Sequence, residues 1–452
     1  MKIHFIAIGG SIMHSLALVM ARRGHEVTGS DDEIYEPSRT RLAEAGLLPS
    51  EMGWHPERIH AGLDSVVLGM HARADNPELL QALRLGLKVE SFPEFMYNIS
   101  ASKTRIVVAG SHGKTTTSGM LAHVFHQAGV PADRMIGARI GDLEPVQVSD
   151  AGIIILEGDE YLSSPLDPRP KFLHYQPQIA IITGIAWDHM NVFPTYASYI
   201  HQFELLIRSM GIQDTLIYCT EDPDLVDLVE KIQPVCRSIP YATPSYKLDD
   251  GKVISSGQDG KEYPLEIFGK HNMQNLQAAL LASGVAGLPA DAFYRGIMSF
   301  TGASKRMQLL YRKGSLTAYL DFAHAPSKVR ATVAAVREKH PDARVIACLE
   351  LHTFSSLNPE FLPQYRHTLD PADERIVYFS PHTLEIKKLP PLSKEKLATY
   401  FGDDQLNVAT TADALQSLVL GLREDQETVL LWMSSGRFDG LDLMEVSAGM
   451  LD

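Results

Sequence analysis

The sequence predicts an α/β fold of three domains, each built on an open and mostly parallel sheet. Its 452 residues amount to about three domains of ordinary length. Segments with strand and helix patterns alternate in all three parts of the chain, which is typical of βαβ units. Several apolar runs are short and unbroken, as in strands that are buried on both faces. We therefore predict domains at residues 1–100, 101–301 and 302–452.

The composition excludes several classes of protein. Hydrophobic residues make up 45% and charged residues 21%, which is inconsistent with a disordered, collagen-like or coiled-coil chain. The formal net charge of −14 argues against a positive electrostatic field that would attract nucleic acid, so we expect no nucleic-acid partner. The three cysteines are too few for a disulfide framework or a zinc cluster, which favours a reducing cytosol. Any phosphate ligand must therefore be bound by a local site.

The first third begins with the pattern of a strand, a glycine turn and a helix. Residues 3–8 form an apolar run that Gly9 and Gly10 stop, and helical spacing follows. The run is too short for a signal peptide or a membrane span, so we expect a cytoplasmic chain without membrane insertion. Glycines at a helix start allow close approach to a pyrophosphate, and Asp31 could accept hydrogen bonds from ribose or uracil. A purely structural turn has the same sequence pattern.

A phosphate-binding loop is predicted where the middle third begins. An apolar strand from residue 104 leads into the pattern G-x-x-G-K-T, and a helix over 115–128 follows. Glycines let N–H groups face an anion, Lys114 would reach the β- and γ-phosphates, and the Thr115 hydroxyl would bind Mg²⁺. The loop is a shortened variant, because Val108 stands where the strict motif has its first glycine. The alternative is an ordinary strand–helix junction with a surface lysine.

Two further strands of the middle third end in residues that suit a metal site. The apolar run 152–156 leads into Glu157, and the run 179–183 leads toward His189. A carboxylate beyond a buried strand is well placed to bind a cation beside a phosphate loop. An imidazole nitrogen could bind a second cation. Taken singly, each residue fits a solvated loop better than a metal site, but a preceding phosphate loop in a three-part α/β chain favours the metal site.

The remaining predicted elements continue the alternation of strands and helices. Residues 240–264 are rich in turn formers and indicate an excursion from the middle domain. Further strands are predicted at 26–31, 66–70, 88–90, 316–320, 344–349, 375–379 and 428–432. Further helices are predicted at 11–23, 76–86, 271–286, 326–338 and 411–423.

Six short motifs follow one another along the chain, at residues 110–117, 157–160, 188–189, 269–275, 305–306 and 321–326. In this order they resemble the Mur ligases, which are ATP-dependent, amide-forming enzymes of peptidoglycan synthesis. The resemblance extends over essentially the whole chain. It implies a Rossmann-like N-terminal domain, a central P-loop ATPase-type α/β domain and a Rossmann-like C-terminal domain.

The resemblance also implies binding and catalytic residues, with ATP and Mg²⁺ as cofactors. The implied catalytic residues are Lys114, Glu157, His189 and His324, and the implied metal ligands are Thr115, Glu157 and His189. The implied ATP-binding residues are Gly110, Ser111, His112, Gly113, Lys114, Thr115, Thr116, His271, Asn272, Asn275, Arg306 and Asp321. The implied residues for a UDP-sugar are Gly9, Gly10, Ser11, Ile12, Met13, Ser30, Asp31, His71 and Arg73.

Within the family, the first third resembles the branch that uses UDP-N-acetylmuramate. The segments 157–161, 171–177 and 433–440 are similar to members that attach a whole tripeptide in peptidoglycan recycling. The resemblance therefore implies joining of the lactyl carboxylate of UDP-N-acetylmuramate to the amine of L-Ala-γ-D-Glu-meso-diaminopimelate through an acyl phosphate. The alternative is L-alanine as the amine substrate, in peptidoglycan biosynthesis.

The chain departs from the family pattern in three respects. Ala325 stands in place of a histidine, and the stretch 349–356 lacks an arginine that would bind a carboxylate. No lysine occurs between Lys171 and Lys231, so the carbamylated lysine of some Mur ligases is absent. These departures bear on how the incoming peptide and a second metal would be bound.

Two function classes outside the ligases remain open from the residues. A nucleotide-sugar oxidoreductase would use the first third to bind NAD(P). It is disfavoured because Ala7 and Ile12 occupy glycine positions of the dinucleotide fingerprint. A regulatory protein that binds nucleotides without catalysis is disfavoured by the intact lysine, threonine and acidic set.

Overall fold

The structure is a computed structural model of the chain, and it describes residues 1–187, 192–249, 251–257 and 259–451. The chain divides into two compact units. One contains Met1–Ile185, Ala197–Ala242 and Leu276–Ile297, and the other contains Ala186–Tyr196, Thr243–Asn275 and Met298–Asp452.

A parallel four-stranded sheet in order β2-β1-β3-β4 occupies the first hundred residues. Its strands are β1 (Lys2–Ile6), β2 (Glu26–Ser30), β3 (Ser65–Leu68) and β4 (Val89–Ser91). The helices here are α1 (Ser11–Arg22), α2 (Ser38–Glu44), α3 (Pro77–Arg84) and α4 (Phe92–Ser100), with a 3₁₀ turn at Pro56–Arg58. Ser91 and Glu94 form a capping box that starts α4 directly after β4.

A seven-stranded sheet in order β13-β12-β11-β5-β8-β6-β7 follows, and only β7 runs antiparallel in the described pairings. The strands of this region are β5 (Thr104–Ala109), β6 (Asp133–Met135), β7 (Val146–Gln147), β8 (Ile153–Glu157), β9 (Leu162–Ser164), β10 (Asp167–Pro170), β11 (Ile179–Ile182), β12 (Thr215–Cys219) and β13 (Arg237–Tyr241). The pair β9–β10 forms a separate hairpin. The helices are α5 (Lys114–Gln127), α6 (Lys171–His174), α7 (Tyr196–Ser209) and α8 (Pro223–Ile232).

The turn-rich excursion predicted at 240–264 contains a small antiparallel sheet. Its strands are β14 (Tyr246–Asp249), β15 (Lys252–Ser256) and β16 (Glu262–Leu265). Two helices follow, α9 (Lys270–Val285) and α10 (Ala290–Ile297).

The last part of the chain forms a six-stranded sheet in order β17-β18-β22-β19-β20-β21, in which β17 alone is antiparallel to its neighbour among the described pairings. The strands are β17 (Gln308–Lys313), β18 (Leu316–Asp321), β19 (Arg344–Glu350), β20 (Glu374–Tyr378), β21 (Asn407–Ala409) and β22 (Thr428–Met433). The helices are α11 (Pro326–Lys339), α12 (Phe354–Leu357), α13 (Pro381–Ile386), α14 (Lys394–Phe401), α15 (Ala412–Gly421) and α16 (Leu443–Gly449). Two 3₁₀ turns lie at Leu362–Tyr365 and Phe438–Gly440.

The α/β fold class and the predicted central strands are confirmed. The strands expected at 104–109, 152–156 and 344–349 begin and end within one residue of β5, β8 and β19. The short strands β6, β7, β9 and β10 were not predicted, because two to four residues carry too little periodicity. In the part of the chain that the structure describes, no helix has the length and apolar character needed to cross a membrane. The domain boundaries at 100 and 301 remain predictions.

Candidate functional site

The predicted phosphate loop connects the buried strand β5 to helix α5. Gly110 and Gly113 adopt left-handed φ angles of 125° and 75°, a region that side chains disfavour. A Cβ on Gly110 would lie 2.3 Å from the side-chain oxygen of Thr183, so the position also requires glycine for space. Helix α5 begins at Lys114, which places Thr115 and Thr116 in its first turn. The loop therefore has the strand–turn–helix geometry that suits anion binding.

The ammonium group of Lys114 is bound inside this loop. Its Nζ donates to the backbone oxygen of Gly110 at 2.6 Å and to Oε2 of Glu160 at 2.7 Å. The side chain of Lys114 is 12% exposed and that of Glu160 is 1% exposed. Burial lowers the pKa of Lys114, but the carboxylates of Glu160 and Asp159 outweigh that effect and raise it. Lys114 is therefore a fixed, charged group.

The carboxylate of Glu157, at the end of β8, lies beside the start of α5. Its Oε1 accepts a hydrogen bond from Oγ1 of Thr115 at 2.7 Å, and its Oε2 accepts one from the Gly137 amide at 2.6 Å. Burial and the neighbouring Asp159 raise the pKa of Glu157. The hydroxyl of Ser111 is buried and has no hydrogen-bond partner among the described residues. A buried carboxylate beside a hydroxyl is the oxygen-rich set that Mg²⁺ prefers, so these residues fit the ion.

Helix α6 packs directly on the acidic stretch after β8. Nζ of Lys171 lies 3.0 Å from Oδ2 of Asp159. A Cβ on Gly158 would lie 3.0 Å from Cβ of Phe172, which shows how closely the helix approaches. Buried Arg105, on β5, fixes the end of this segment by donating to the backbone oxygen of Tyr175 at 2.7 Å. One face of the site therefore depends on α6.

The structure adds three residues to this site that sequence reasoning did not include. Glu160 pairs with Lys114, Gly137 donates to Glu157, and Lys171 pairs with Asp159. The run of acids at 157–160 is a sequence signal for Glu160. No sequence pattern connects Gly137 with Glu157, because that contact depends on the pairing of β6 with β8.

The predicted UDP-sugar residues form two groups within the first unit. Oδ2 of Asp31 accepts a hydrogen bond from the Gly9 amide at 2.7 Å, and the backbone oxygen of Ser30 accepts from Ala7 and Ile8. Burial, opposed by the Gly9 hydrogen bond, raises the pKa of Asp31 to about 6. Gly10 precedes α1, and Ser11, Ile12 and Met13 form its first turn. The loop after β1 and the end of β2 therefore meet, as the sequence predicts.

His71 and Arg73 stand apart from that group. Both are exposed, and the Arg73 guanidinium pairs with Asp75, with 2.9 Å between Nε and Oδ1. Among the described residues, no hydrogen bond links either side chain to the loop after β1. Their assignment to a sugar-nucleotide site remains a prediction.

The second unit contains the predicted adenine residues. His271, Asn272 and Asn275 lie in the first turns of α9, and the Asn272 amide donates to the Phe268 oxygen at 2.9 Å. Burial lowers the pKa of His271, although the charges of Asp321 and Glu338 act in the opposite direction. A neutral imidazole at this position is compatible with contact to a nucleobase.

Asp321 organises the loops around the end of β18. Its Oδ2 accepts from the Met307 amide at 2.7 Å, and its Oδ1 accepts from the Ala323 amide at 2.8 Å. The Arg306 guanidinium lies 4.4 Å from the centre of the Phe322 ring. Nδ1 of His324 lies 2.8 Å from the Phe322 oxygen. The structure thus brings Arg306, Asp321 and His324 into one loop cluster, whereas His189 lies outside the described residues.

Two family models match the chain. Residues 2–104 match the model described as "Mur ligase family, catalytic domain", and residues 108–283 match "Mur ligase middle domain".

Named relatives fall into two groups. A UDP-N-acetylmuramate–L-alanyl-γ-D-glutamyl-meso-2,6-diaminoheptandioate ligase from Escherichia coli is 31% identical over 361 residues, covering 77% of this chain and 79% of the relative. A UDP-N-acetylmuramate–L-alanine ligase from an Arthrobacter strain is 32% identical over 386 residues, covering 83% of this chain and 80% of the relative.

A solved structure extends the similarity to the complete fold. The crystal structure of a murein peptide ligase from Psychrobacter arcticus superposes with a TM-score of 0.67 and 25% identity, covering 100% of this chain and 98% of that one. The motifs, the phosphate-loop geometry and these similarities lead to one conclusion. The chain belongs to the Mur ligase family and is an ATP-dependent, amide-forming ligase.

Proposed function

We propose that the protein joins the lactyl carboxylate of UDP-N-acetylmuramate to the amine of L-Ala-γ-D-Glu-meso-diaminopimelate. The observation that supports an ATP-driven reaction is the arrangement of Lys114, Thr115 and Glu157 at the ends of β5 and β8. A carboxylate and an amine do not condense in water, so the carboxylate must first be activated. Phosphorylation by ATP provides that activation.

In the proposed first step, a lactyl carboxylate oxygen attacks the γ-phosphorus of ATP and the bond to the β,γ-bridging oxygen breaks. ADP leaves, and an acyl phosphate forms. Lys114 would neutralise charge on the transferring group, which requires its Nζ to exchange Glu160 for phosphate oxygens. Thr115 and Glu157 would hold Mg²⁺, which supplies electrostatic stabilisation of the phosphate charge. His189 is proposed as a ligand of a second cation.

In the proposed second step, the peptide amine attacks the acyl carbon, the carbon–oxygen bond to phosphate breaks, and the amine loses a proton. The amide and inorganic phosphate are the products. His324 is proposed to contact the acyl phosphate or to order its surroundings. His271, Asn272 and Asn275 would bind adenine, while Arg306 and Asp321 would bind the phosphates and ribose of ATP.

The loop after β1 is proposed to bind the UDP moiety. Gly9 and Gly10 leave space for a pyrophosphate at the start of α1, where Ser11, Ile12 and Met13 follow. Ser30 and Asp31 would contact ribose or uracil, with His71 and Arg73 at the edge of the site.

The tripeptide is preferred over L-alanine on the basis of three segments that resemble tripeptide-adding ligases. One of them, 171–177, includes α6, which contacts the acidic stretch through Lys171 and Phe172. L-Alanine remains the second candidate, because the Arthrobacter alanine ligase is as similar to this chain as the E. coli tripeptide ligase.

The test is phosphate release from ATP, Mg²⁺ and UDP-N-acetylmuramate, with the amine varied and the product identified by mass. We expect turnover with the tripeptide and little with L-alanine. Lys114→Ala should abolish turnover, whereas Lys231→Ala, at an exposed lysine of the same unit, should retain it. Preferential turnover of L-alanine would establish the second candidate instead. Phosphate release that ignores both co-substrates would exclude ligase activity.

A further inference from the structure

A second cluster of ionisable groups lies outside the phosphate site, where helix α4 meets the hairpin β9–β10 and helix α6. Glu94, Asp167 and His174 each offer one ligand atom, and these atoms lie within 4.8 Å of one another. Glu94 belongs to α4, Asp167 begins β10, and His174 ends α6. All three residues lie in the first compact unit. Segments that are distant in sequence therefore bring two carboxylates and an imidazole to one place.

The imidazole of His174 is buried, and one of its nitrogens makes no hydrogen bond. The residue is 8% exposed, and Nε2 has no hydrogen-bond partner among the residues that the structure describes. Nε2 lies 3.1 Å from Oδ2 of Asp167, but this contact does not have hydrogen-bond geometry. Burial lowers the pKa of His174 despite the opposing charge of Asp167, so the imidazole is neutral near pH 7. An unpaired, buried nitrogen of a neutral imidazole is suited to binding a cation.

Both carboxylates can offer an oxygen to that cation. The capping box of α4 uses Oε2 of Glu94, which accepts from the amide and the hydroxyl of Ser91, so Oε1 can bind a ligand without breaking the cap. The Arg169 guanidinium donates to Asp167, from Nε to Oδ1 at 3.0 Å and from Nη2 to Oδ2 at 2.6 Å, and it lowers the pKa of that carboxyl group. The Arg169 side chain is 60% exposed, so it can turn into solvent when another cation binds Asp167.

The ligand set indicates which cation fits. Two carboxylate oxygens and an imidazole nitrogen are typical ligands of Zn²⁺, at about 2.0–2.2 Å from the ion. Neighbouring ligands around such an ion are roughly 3–3.5 Å apart, and the distance of 3.1 Å between His174 and Asp167 lies in that range. The Glu94 oxygen can close the remaining gap by rotation of its side chain. Mg²⁺ prefers oxygen ligands, so the imidazole disfavours the ion expected at the phosphate loop.

We propose that Glu94, Asp167 and His174 bind a divalent cation of the Zn²⁺ type, at a site separate from the Mg²⁺ site beside the phosphate loop. The ion links α4 to the hairpin β9–β10 and to α6. Because α6 contacts the acidic stretch after β8, the ion stabilises one face of the candidate active site without contacting the substrates. The proposal goes beyond the ligase reaction and does not depend on which amine is used.

The experiment measures Zn²⁺ binding to the full chain by equilibrium dialysis, after removal of metals with a chelator and in the presence of excess Mg²⁺. Thermal unfolding is followed in parallel, because an ion that binds only the folded state raises the Tm. The proteins compared are the wild type, His174→Gln, Arg169→Ala and the control His201→Gln. His201 is an exposed histidine of α7 whose Nδ1 lies 3.4 Å from Oε2 of Glu204, so the control changes a histidine–carboxylate pair at the surface.

We expect the wild type and His201→Gln to bind Zn²⁺ with the same affinity. His174→Gln should bind it at least about 10-fold more weakly, since loss of a group outside the coordination shell already weakens metal binding by that factor. Arg169→Ala should bind it up to about 5-fold more tightly, because a competing cation with the strength of an exposed ion pair is removed. Zn²⁺ should raise the Tm of the wild type and of Arg169→Ala, and leave that of His174→Gln unchanged.

Three results would overturn the proposal: no Zn²⁺ binding by the wild type, equal affinity in the wild type and His174→Gln, or equal or weaker binding by Arg169→Ala. Zn²⁺ that binds at the phosphate loop instead would produce the second result. If His174→Gln does not fold, the comparison of the wild type with Arg169→Ala decides, because that variant keeps all three proposed ligands. None of these measurements uses ligase activity, so failure of the proposed reaction and failure of the metal site are distinguishable.

Discussion

Gly158 separates Glu157 from Asp159 at a point where no side chain fits. A Cβ there would lie 2.8 Å from Cγ1 of Val107 and 3.0 Å from Cβ of Phe172. Ordinary contacts of this kind are 3.4–4 Å, so Gly158→Ala must displace β5 or α6 by roughly half an ångström to one ångström.

Overpacking a well-packed site costs about 1–3 kcal/mol, so the free energy of unfolding of Gly158→Ala should fall by that amount. Because the displaced groups border the phosphate loop, kcat should fall about 10- to 100-fold, as for misplacement of a reacting group by up to an ångström. The two measurements are urea-induced unfolding followed by circular dichroism and steady-state phosphate release.

Gly152→Ala is the matched control, because Gly152 precedes β8 and Gly158 follows it. A Cβ on Gly152 would have no atom within 4 Å, and its φ lies outside the left-handed region. The control should therefore leave unfolding and kcat essentially unchanged. Equal stability and equal kcat in the two variants would refute the packing argument. A loss of stability without a loss of kcat would show that α6 does not position the site.

Two further predictions concern stability. Lys103 donates to Asp133 at 2.6 Å in a buried pair, so Lys103→Met should lower the free energy of unfolding by about 3–5 kcal/mol in urea denaturation. Arg23→Met, at a pair with the exposed Asp150, should lower it by under about 1 kcal/mol. Similar losses in the two variants would contradict the expected difference between a buried and an exposed ion pair. Because burial raises the pKa of Asp31 to about 6, its carboxyl group holds a proton between about pH 4 and pH 6 in the folded state, whereas the unfolded state loses that proton. The contribution of Asp31 to the free energy of unfolding therefore falls as pH rises through that window. The free energy of unfolding of Asp31→Asn, relative to that of the wild type, should therefore rise by up to about 3 kcal/mol between pH 4 and pH 7. A difference that does not change with pH would exclude the raised pKa of Asp31.

Much of the fold was predictable because its central strands are buried on both faces. The residues of β5, β8 and β19 form unbroken apolar runs, and such runs are visible without tertiary information. The glycine pattern likewise predicted the loop between β5 and α5. The antiparallel edge strand β17 was not predicted, because it is largely exposed and lacks an apolar run.

The candidate site was predictable where its residues follow one another in sequence, and not where distant segments meet. Thr115 and Glu157 each follow a recognisable strand, so both could be proposed from the chain alone. Arg105 could not, because its role depends on backbone oxygens of the segment after α6, about 70 residues away. Ala7 shows the limit of composition rules, since it adopts a φ of 66° that would favour glycine.

The sequence by itself determined the family, the alternation of strands and helices, and the identity of the loop residues around Lys114. These are local properties, since periodicity, glycine placement and motif order are read from neighbouring residues. The tertiary structure alone decided that Lys114 pairs with Glu160, that Gly158 has no room for a methyl group, and that Gly436 lies beside His352. Those facts arise from strand order and close packing, which join residues far apart in the chain.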